Sequence, residues 1–189
     1  MKGTYTLLII CMKPFRTKIG NLGYTTIRKG HYLYTGSALG YGSVSLEGRL
    51  SRHLRHPKNV RWHVDYLTSS TRCRVKAIVC LISSKRLECT INQKIVKSLK
   101  TKPILARAGS SDCKCKGHLT KVGPLIGAGR IQPDLVTVYR SFGRAVCRMQ
   151  FANRARENVS RLDLEMRLER IRLDRKGTVT RSSALPPIS

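Results

Sequence analysis

The chain has 189 residues, with 37 Lys and Arg against 10 Asp and Glu, a formal net charge of +27. That length suits one ordinary domain or one domain with an appendage, and 41% hydrophobic residues suffice for a core. So large a charge repels itself in a compact state unless a polyanion neutralises it. This argues against a small-molecule enzyme or a secreted disulfide scaffold and makes nucleic acid the expected partner, an anionic membrane surface being the lesser alternative.

In chain order, Thr4–Cys11 is apolar and β-branched, and Lys13 and Arg16 follow it where a signal peptide would have a small-residue cleavage site, so it reads as a buried strand. Tyr32–Gly36 reads as a second strand. Ser45–His56 reads as a helix, with Ser45 as N-cap and Pro57 just past its end. Trp62-His63-Val64-Asp65-Tyr66 alternates; if extended, it puts His63 and Asp65 on one side and Trp62, Val64 and Tyr66 on the other. Arg74–Ile82 reads as a buried strand. Lys85–Lys100 reads as an amphipathic helix, since Leu87, Ile91, Ile95 and Leu99 recur every four residues. This succession predicts an α/β (α+β) fold, a small central antiparallel or mixed sheet flanked by helices.

A boundary is expected near Gly123-Pro124, where the basic residues change type. Residues 1–123 hold 14 Lys and 10 Arg, whereas residues 124–189 hold one Lys, Lys176, and 12 Arg. Net charge divides accordingly into +20 for a 1–123 domain and +7 for an Arg-rich 124–189 extension, with Gly127-Ala128-Gly129 as a flexible link. Within the extension, Val136–Val146 reads as a strand or the edge of a small hairpin. Glu157–Lys176 reads as a helix with i,i+4 pairs such as Glu157/Arg161, and Thr178–Ser189 as a flexible tail. No apolar run approaches the roughly 18 residues of a membrane span. Seven irregularly spaced Cys suggest reduced thiols and a cytoplasmic location rather than a disulfide framework.

Residues 1–123 keep four acids: Glu47, Asp65, Glu88 and Asp112. Each repels the phosphates that the surrounding base attracts. Glu47 at a helix start suits the macrodipole and local pairing. An isolated carboxylate in such a chain, Glu88 above all, is a candidate ligand for Mg²⁺ beside a phosphate. A His63–Asp65 pair either orients an imidazole for proton transfer or is a structural polar contact. Cys113-Lys114-Cys115-Lys116-Gly117-His118 offers three soft ligands within six residues; with Cys89 it makes a possible Cys₃His Zn²⁺ site, the alternative being a buried Cys cluster under a turn.

Gly3-Thr4-Tyr5, followed by Tyr34-Thr35-Gly36, resembles the paired motif of the GIY-YIG nuclease superfamily. The chain is more specifically similar to a largely archaeal branch of it, through Tyr32-Leu33-Tyr34-Thr35-Gly36-Ser37-Ala38-Leu39-Gly40, Arg52-His53, Trp62-His63-Val64-Asp65-Tyr66-Leu67, Glu88-Cys89, and Gly109-Ser110-Ser111-Asp112-Cys113-Lys114-Cys115 with Gly117-His118-Leu119. The match covers roughly residues 1–122. The resemblance implies a phosphodiesterase with one divalent cation, Mg²⁺ or Mn²⁺. Tyr5 would position or deprotonate the attacking water and Tyr34 would face it. Arg49 would hold the phosphate, Glu88 would be the cation's single protein ligand, and Gly36 would allow close backbone approach. On the helix, Arg49, His53 and His56 share a face. His53 is an auxiliary acid or base, or a phosphate contact. Arg52, Arg55, His56, Arg61 and His63 are further candidate nucleic-acid contacts, with Gly36.

The first triplet departs from the superfamily pattern at Thr4, the second at Thr35, and the Arg-rich extension is not part of it. Two readings follow: a structure-selective or repair-type endonuclease on DNA or RNA, or a non-catalytic RNA-binding protein, ribosome-associated, on the same fold.

Overall fold

In the computed structural model, residues 1–151 are described. The elements in order are β1 (Gly3–Cys11), β2 (Phe15–Lys18), β3 (Tyr24–Ile27), β4 (Gly30–Ala38), α1 (Leu46–Leu54), α2 (Asp65–Thr68), β5 (Cys73–Ile82), α3 (Glu88–Leu99), β6 (Lys102–Pro103), β7 (Leu119–Lys121), α4 (Ala128–Arg140) and β8 (Val146–Gln150). Six strands form one sheet in the order β6-β7-β4-β1-β5-β8, with every neighbouring pair antiparallel. The remaining two, β2 and β3, form a separate hairpin between β1 and β4. The expected α+β class with helices flanking a small sheet is what the chain adopts, and the sheet is antiparallel rather than mixed.

β1 lies inside the sheet and is buried on both faces, so its alternation sorts two cores. Tyr5, Leu7 and Ile9 pack with Tyr32, Tyr34 and Ala38 of β4 beneath Leu46 and Leu50 of α1, with Ile19 and Ile27 from the hairpin region. Leu8 and Leu33 face the other way, onto Ile91, Ile95 and Leu99 of α3 and Ile131, Leu135 and Val138 of α4. The result is a sheet between two helical layers. Ser45 caps α1 as expected, its hydroxyl accepting from the backbone N–H of Gly48 at 3.1 Å.

Three local expectations are corrected. The alternating stretch at Trp62–Tyr66 is not extended, because Asp65 opens the short helix α2 and turns back to accept the backbone N–H groups of Arg61 and Trp62, each at 2.9 Å. Residues 136–146 are not a strand. Ile131, Leu135, Val138 and Tyr139 recur at helical spacing and are all buried along α4, and the strand starts only at Val146. Cys80 and Cys147 stand opposite each other in the β5–β8 register and form a disulfide, although reduced thiols were expected.

Both α4 and β8 lie past the expected boundary at 123/124, yet β8 pairs with β5 and α4 fills the second core. The expected helix at 157–176 and tail at 178–189 fall outside the described residues. Among the described residues, no helix is long and apolar enough to cross a membrane.

Candidate functional site

Tyr5 is opposite Gly36 in the β1–β4 register, and its ring lies over the glycine. A Cβ on residue 36 would stand 2.7 Å from the Tyr5 hydroxyl oxygen and 2.8 Å from Cζ, so only glycine leaves room for the phenol. The Tyr5 hydroxyl is 2.8 Å from Nε2 of His53, which α1 brings over the strand. Tyr34 and His53 meet edge to face with centroids 5.6 Å apart, and Tyr5 and Tyr34 lie 6.3 Å apart. What approaches Gly36 is thus the Tyr5 ring, and Tyr5, Tyr34 and His53 come together beside it.

Burial sets the protonation of this cluster. It pushes the Tyr5 phenol well above its ordinary value; the Arg49 guanidinium pulls the other way, and the Glu88 charge adds to the rise. Tyr34 is raised by burial first, then by Tyr5 and Glu88, against Arg49. Burial lowers His53 to about 3, helped by the charges of Lys58, Arg52 and Arg49 and opposed by Asp65. Both phenols and the imidazole are thus neutral near pH 7. The Arg49 guanidinium sits 5.1 Å from the Trp62 ring centroid, and its Nε is buried without a hydrogen-bond acceptor among the described residues.

Beside this cluster is a buttress. Arg52 donates from both terminal nitrogens to Asp65, at 3.0 and 2.8 Å, and stacks 4.0 Å over Trp62, whose ring also packs against His53. Burial raises the Asp65 carboxyl, but hydrogen bonds from Arg52, Trp62 and Arg61 and the Lys58 charge outweigh it and hold the carboxyl below the usual range. Arg52 was expected to contact nucleic acid; its guanidinium is instead committed within the protein. The His63–Asp65 pair does not form, as a proton-transfer pair or as a structural contact: His63 Nδ1 accepts the Gly109 N–H at 3.0 Å, and Asp65 is bound to Arg52. Arg55 is exposed at the end of α1, Arg61 is exposed, and His56 follows the end of the helix rather than sharing its face with Arg49 and His53.

The four acids now separate. Glu47 binds the Met1 amino group, Asp65 binds Arg52 and Asp112 binds Arg86. Glu88, in contrast, has no Lys or Arg partner among the described residues. Its Oε2 accepts from Ser37 at 2.6 Å and its Oε1 is 2.8 Å from His118 Nδ1. Glu88 heads α3 and reaches the Tyr5–Gly36 end of the sheet from the α3 side. Its charge raises both tyrosines from there.

Cys89, Cys113, Cys115 and His118 place their ligand atoms within 4.8 Å of one another, and this group could hold a metal ion. Cys113 Sγ and His118 Nε2 are 3.7 Å apart, close to the edge of about 3.6 Å that tetrahedral bonds of 2.3 Å to sulfur and 2.0–2.1 Å to nitrogen require. Burial and the other two sulfurs push the Cys89 thiol up to about 12; a cation removes that penalty by taking the thiolate. Arg107 shapes the loop, at φ 67° and donating to the carbonyls of Cys113 and Ser111 at 2.8 and 3.0 Å. Sequence reasoning missed Arg107, the Ser37 contact and the Glu88–His118 contact. Ser37 stands inside a motif quoted above, but nothing local in the sequence pairs residues 88 and 118.

A family model described as a domain of unknown function, DUF123, matches residues 4–128. The chain belongs to the DUF123 family. The DUF123 span runs from β1 to the first residue of α4 and so includes Tyr5, Tyr34, Arg49, His53, Glu88 and all four Cys/His ligands. No curated protein and no solved structure matches the chain.

Proposed function

We propose that the protein is a metal-dependent endonuclease that cleaves phosphodiester bonds in nucleic acid, of GIY-YIG type and structure-selective or repair-type in role. The observation that carries this reading is the 2.8 Å Tyr5–His53 hydrogen bond within electrostatic reach of Arg49 and Glu88. Hydrolysis of a phosphodiester needs a route for the water's proton, a clamp on the phosphate and compensation for charge on the leaving oxygen.

Tyr5 and His53 orient the attacking water: burial keeps both the phenol and the imidazole neutral, and the Tyr5 hydroxyl is held 2.8 Å from His53 Nε2. The water's proton leaves to solvent. Tyr34 closes the far side of the pair. Arg49 holds the phosphate and offsets its developing charge, with Trp62 beneath the guanidinium. Glu88 would hold Mg²⁺ or Mn²⁺. Ser37 and His118 take two of the roughly four acceptor positions on its carboxylate, and the rest suit a hard cation that keeps most of its waters. When bound, that cation supplies positive charge at the phosphate and the leaving oxygen. The +20 of residues 1–123 draws the polyanion in.

The three-sulfur, one-imidazole set favours Zn²⁺ in the second centre, where it would be structural, with all four positions filled by protein. The test is incubation of the protein with branched, nicked and single-stranded DNA and RNA in Mg²⁺ or Mn²⁺. Cleavage that disappears in Glu88→Ala and Arg49→Ala supports the endonuclease. Tight metal-independent RNA binding with no cleavage of any substrate replaces it with the non-catalytic RNA-binding reading.

A further inference from the structure

We propose that the Cys89/Cys113/Cys115/His118 metal centre positions the Glu88 carboxylate, with His118 as the positioning residue that joins the two. The inference rests on the reading of Glu88 as a divalent-cation ligand. Its own evidence is geometric: one imidazole serves both groups, since His118 Nδ1 is 2.8 Å from Glu88 Oε1 and Nε2 is 3.7 Å from Cys113 Sγ, on the side of the sulfur cluster.

A metal on Nε2 leaves the neutral ring a single proton, on Nδ1, where it must donate to Oε1. Oε1 can only accept, so that proton serves the carboxylate, and the metal on Nε2 anchors the ring from its other side. The metal thereby holds the imidazole, and with it the hydrogen bond to Oε1, in place. Ser37 fixes the other oxygen at 2.6 Å. The backbone adds two constraints. Glu88 and Cys89 are adjacent in the first turn of α3, and Asn92 one turn later donates to the Gly117 carbonyl at 3.0 Å, tying the helix to the ligand loop. His118 is fully buried, so no water competes for either nitrogen. A divalent metal with three thiolates and a neutral imidazole carries one net negative charge, which attracts a second cation at Glu88 instead of repelling it.

The experiment uses the full chain loaded with zinc. Zinc content is measured by elemental analysis and Mn²⁺ affinity by electron paramagnetic resonance, for the wild type, Glu88→Gln and His118→Cys. The last variant keeps four soft ligands but loses the Nδ1 donor. The expected result is about one zinc per chain in His118→Cys with Mn²⁺ bound about tenfold or more weakly, and loss of that Mn²⁺ site in Glu88→Gln. Zinc retained with wild-type Mn²⁺ affinity in His118→Cys overturns the coupling and leaves Glu88 as a ligand. Mn²⁺ binding untouched by Glu88→Gln overturns the reading of Glu88 and the coupling with it.

Should His118→Cys fail to fold, Co²⁺ replaces zinc in the wild type. Saturating Mg²⁺ then shifts the cobalt ligand-field bands, and Glu88→Gln abolishes the shift, because coupling between the two sites is reciprocal. Bands that do not move in the wild type refute the proposal.

Discussion

Substituting Gly36 by Ala puts one methyl group where Tyr5 lies. The new Cβ would stand 2.7 Å from the Tyr5 hydroxyl oxygen, 2.8 Å from Cζ and 3.2 Å from Tyr34 Cε1, where ordinary contact begins at 3.4 Å. The phenol must therefore retreat by about 0.7 Å, and Tyr5 is fully buried beneath Leu46 and Leu50, in a core without slack. Overpacking of this kind costs about 1–3 kcal/mol, and stretching the Tyr5–His53 bond adds about 1 kcal/mol. A loss of about 2–4 kcal/mol lowers Tm by roughly 4–16 °C for a chain of this size. Thermal unfolding followed by circular dichroism reads this directly. Gly127→Ala is the control, since nothing lies within 4 Å of a Cβ there. A Gly36→Ala variant that melts within about 2 °C of the wild type, a difference of about 0.5–1 kcal/mol, refutes the requirement of Tyr5 for this glycine.

Further outcomes follow from the metal centre and the buried charges. Cys115→Ser, or a zinc chelator, removes the metal, and an ion bound at about 1,000 times its Kd contributes about 4 kcal/mol, so Tm falls by roughly 8–16 °C together with the zinc content. Asp65→Asn strands the Arg52 guanidinium and costs about 3–5 kcal/mol by urea unfolding. Because the folded Asp65 carboxyl is held low, the stability it contributes is present above about pH 4 and lost as pH falls from there through its depressed value. His53 works in a different window. Its folded value is depressed to about 3, so the unfolded chain binds the proton more readily, and stability falls by up to about 1.4 kcal/mol per pH unit as pH drops from about 6.5 towards 3. His53→Gln flattens that slope, measured by chemical denaturation between pH 7 and 5; an unchanged slope contradicts the assignment of a neutral buried imidazole.

Some of this was legible in the chain. α1 and α3 each bury one periodic set of side chains, while β1 and β5 are apolar runs buried on both faces, and both patterns are displayed by a sequence. Arg49 and His53 were placed on one face by spacing alone, and the four members of the Cys/His cluster that could hold a metal by residue type. What stayed hidden depends on contacts between distant segments. The alternation at Trp62–Tyr66 imitates a strand, but Asp65 gains more by accepting two backbone N–H groups and a bidentate Arg52 than extended geometry offers. Val136, Thr137 and Val138 favour strand locally, and Pro133 interrupts the helical signal, yet the core claims Ile131, Leu135, Val138 and Tyr139. The boundary at 123/124 rested on a change from Lys to Arg, which describes the surface and says nothing of pairing between β5 and β8. His118 read as one ligand of four. Its second bond, to a carboxylate thirty residues earlier, exists only once β7 lies beside β4 and α3 crosses behind them.

The central claim is that Arg49, Glu88 and the Tyr5–His53 pair make one hydrolytic site. The measurement that tests it most directly is single-turnover cleavage of a branched nucleic acid in Mn²⁺ by wild type, Tyr5→Phe, Arg49→Ala and Glu88→Gln, each first shown to be folded and zinc-loaded. The wild type is expected to cleave, each variant to lose about 100-fold or more, and Tyr5→Phe to retain nucleic-acid binding. Wild-type protein that binds these substrates but cleaves none, or variants that cleave at the wild-type rate, would contradict that claim.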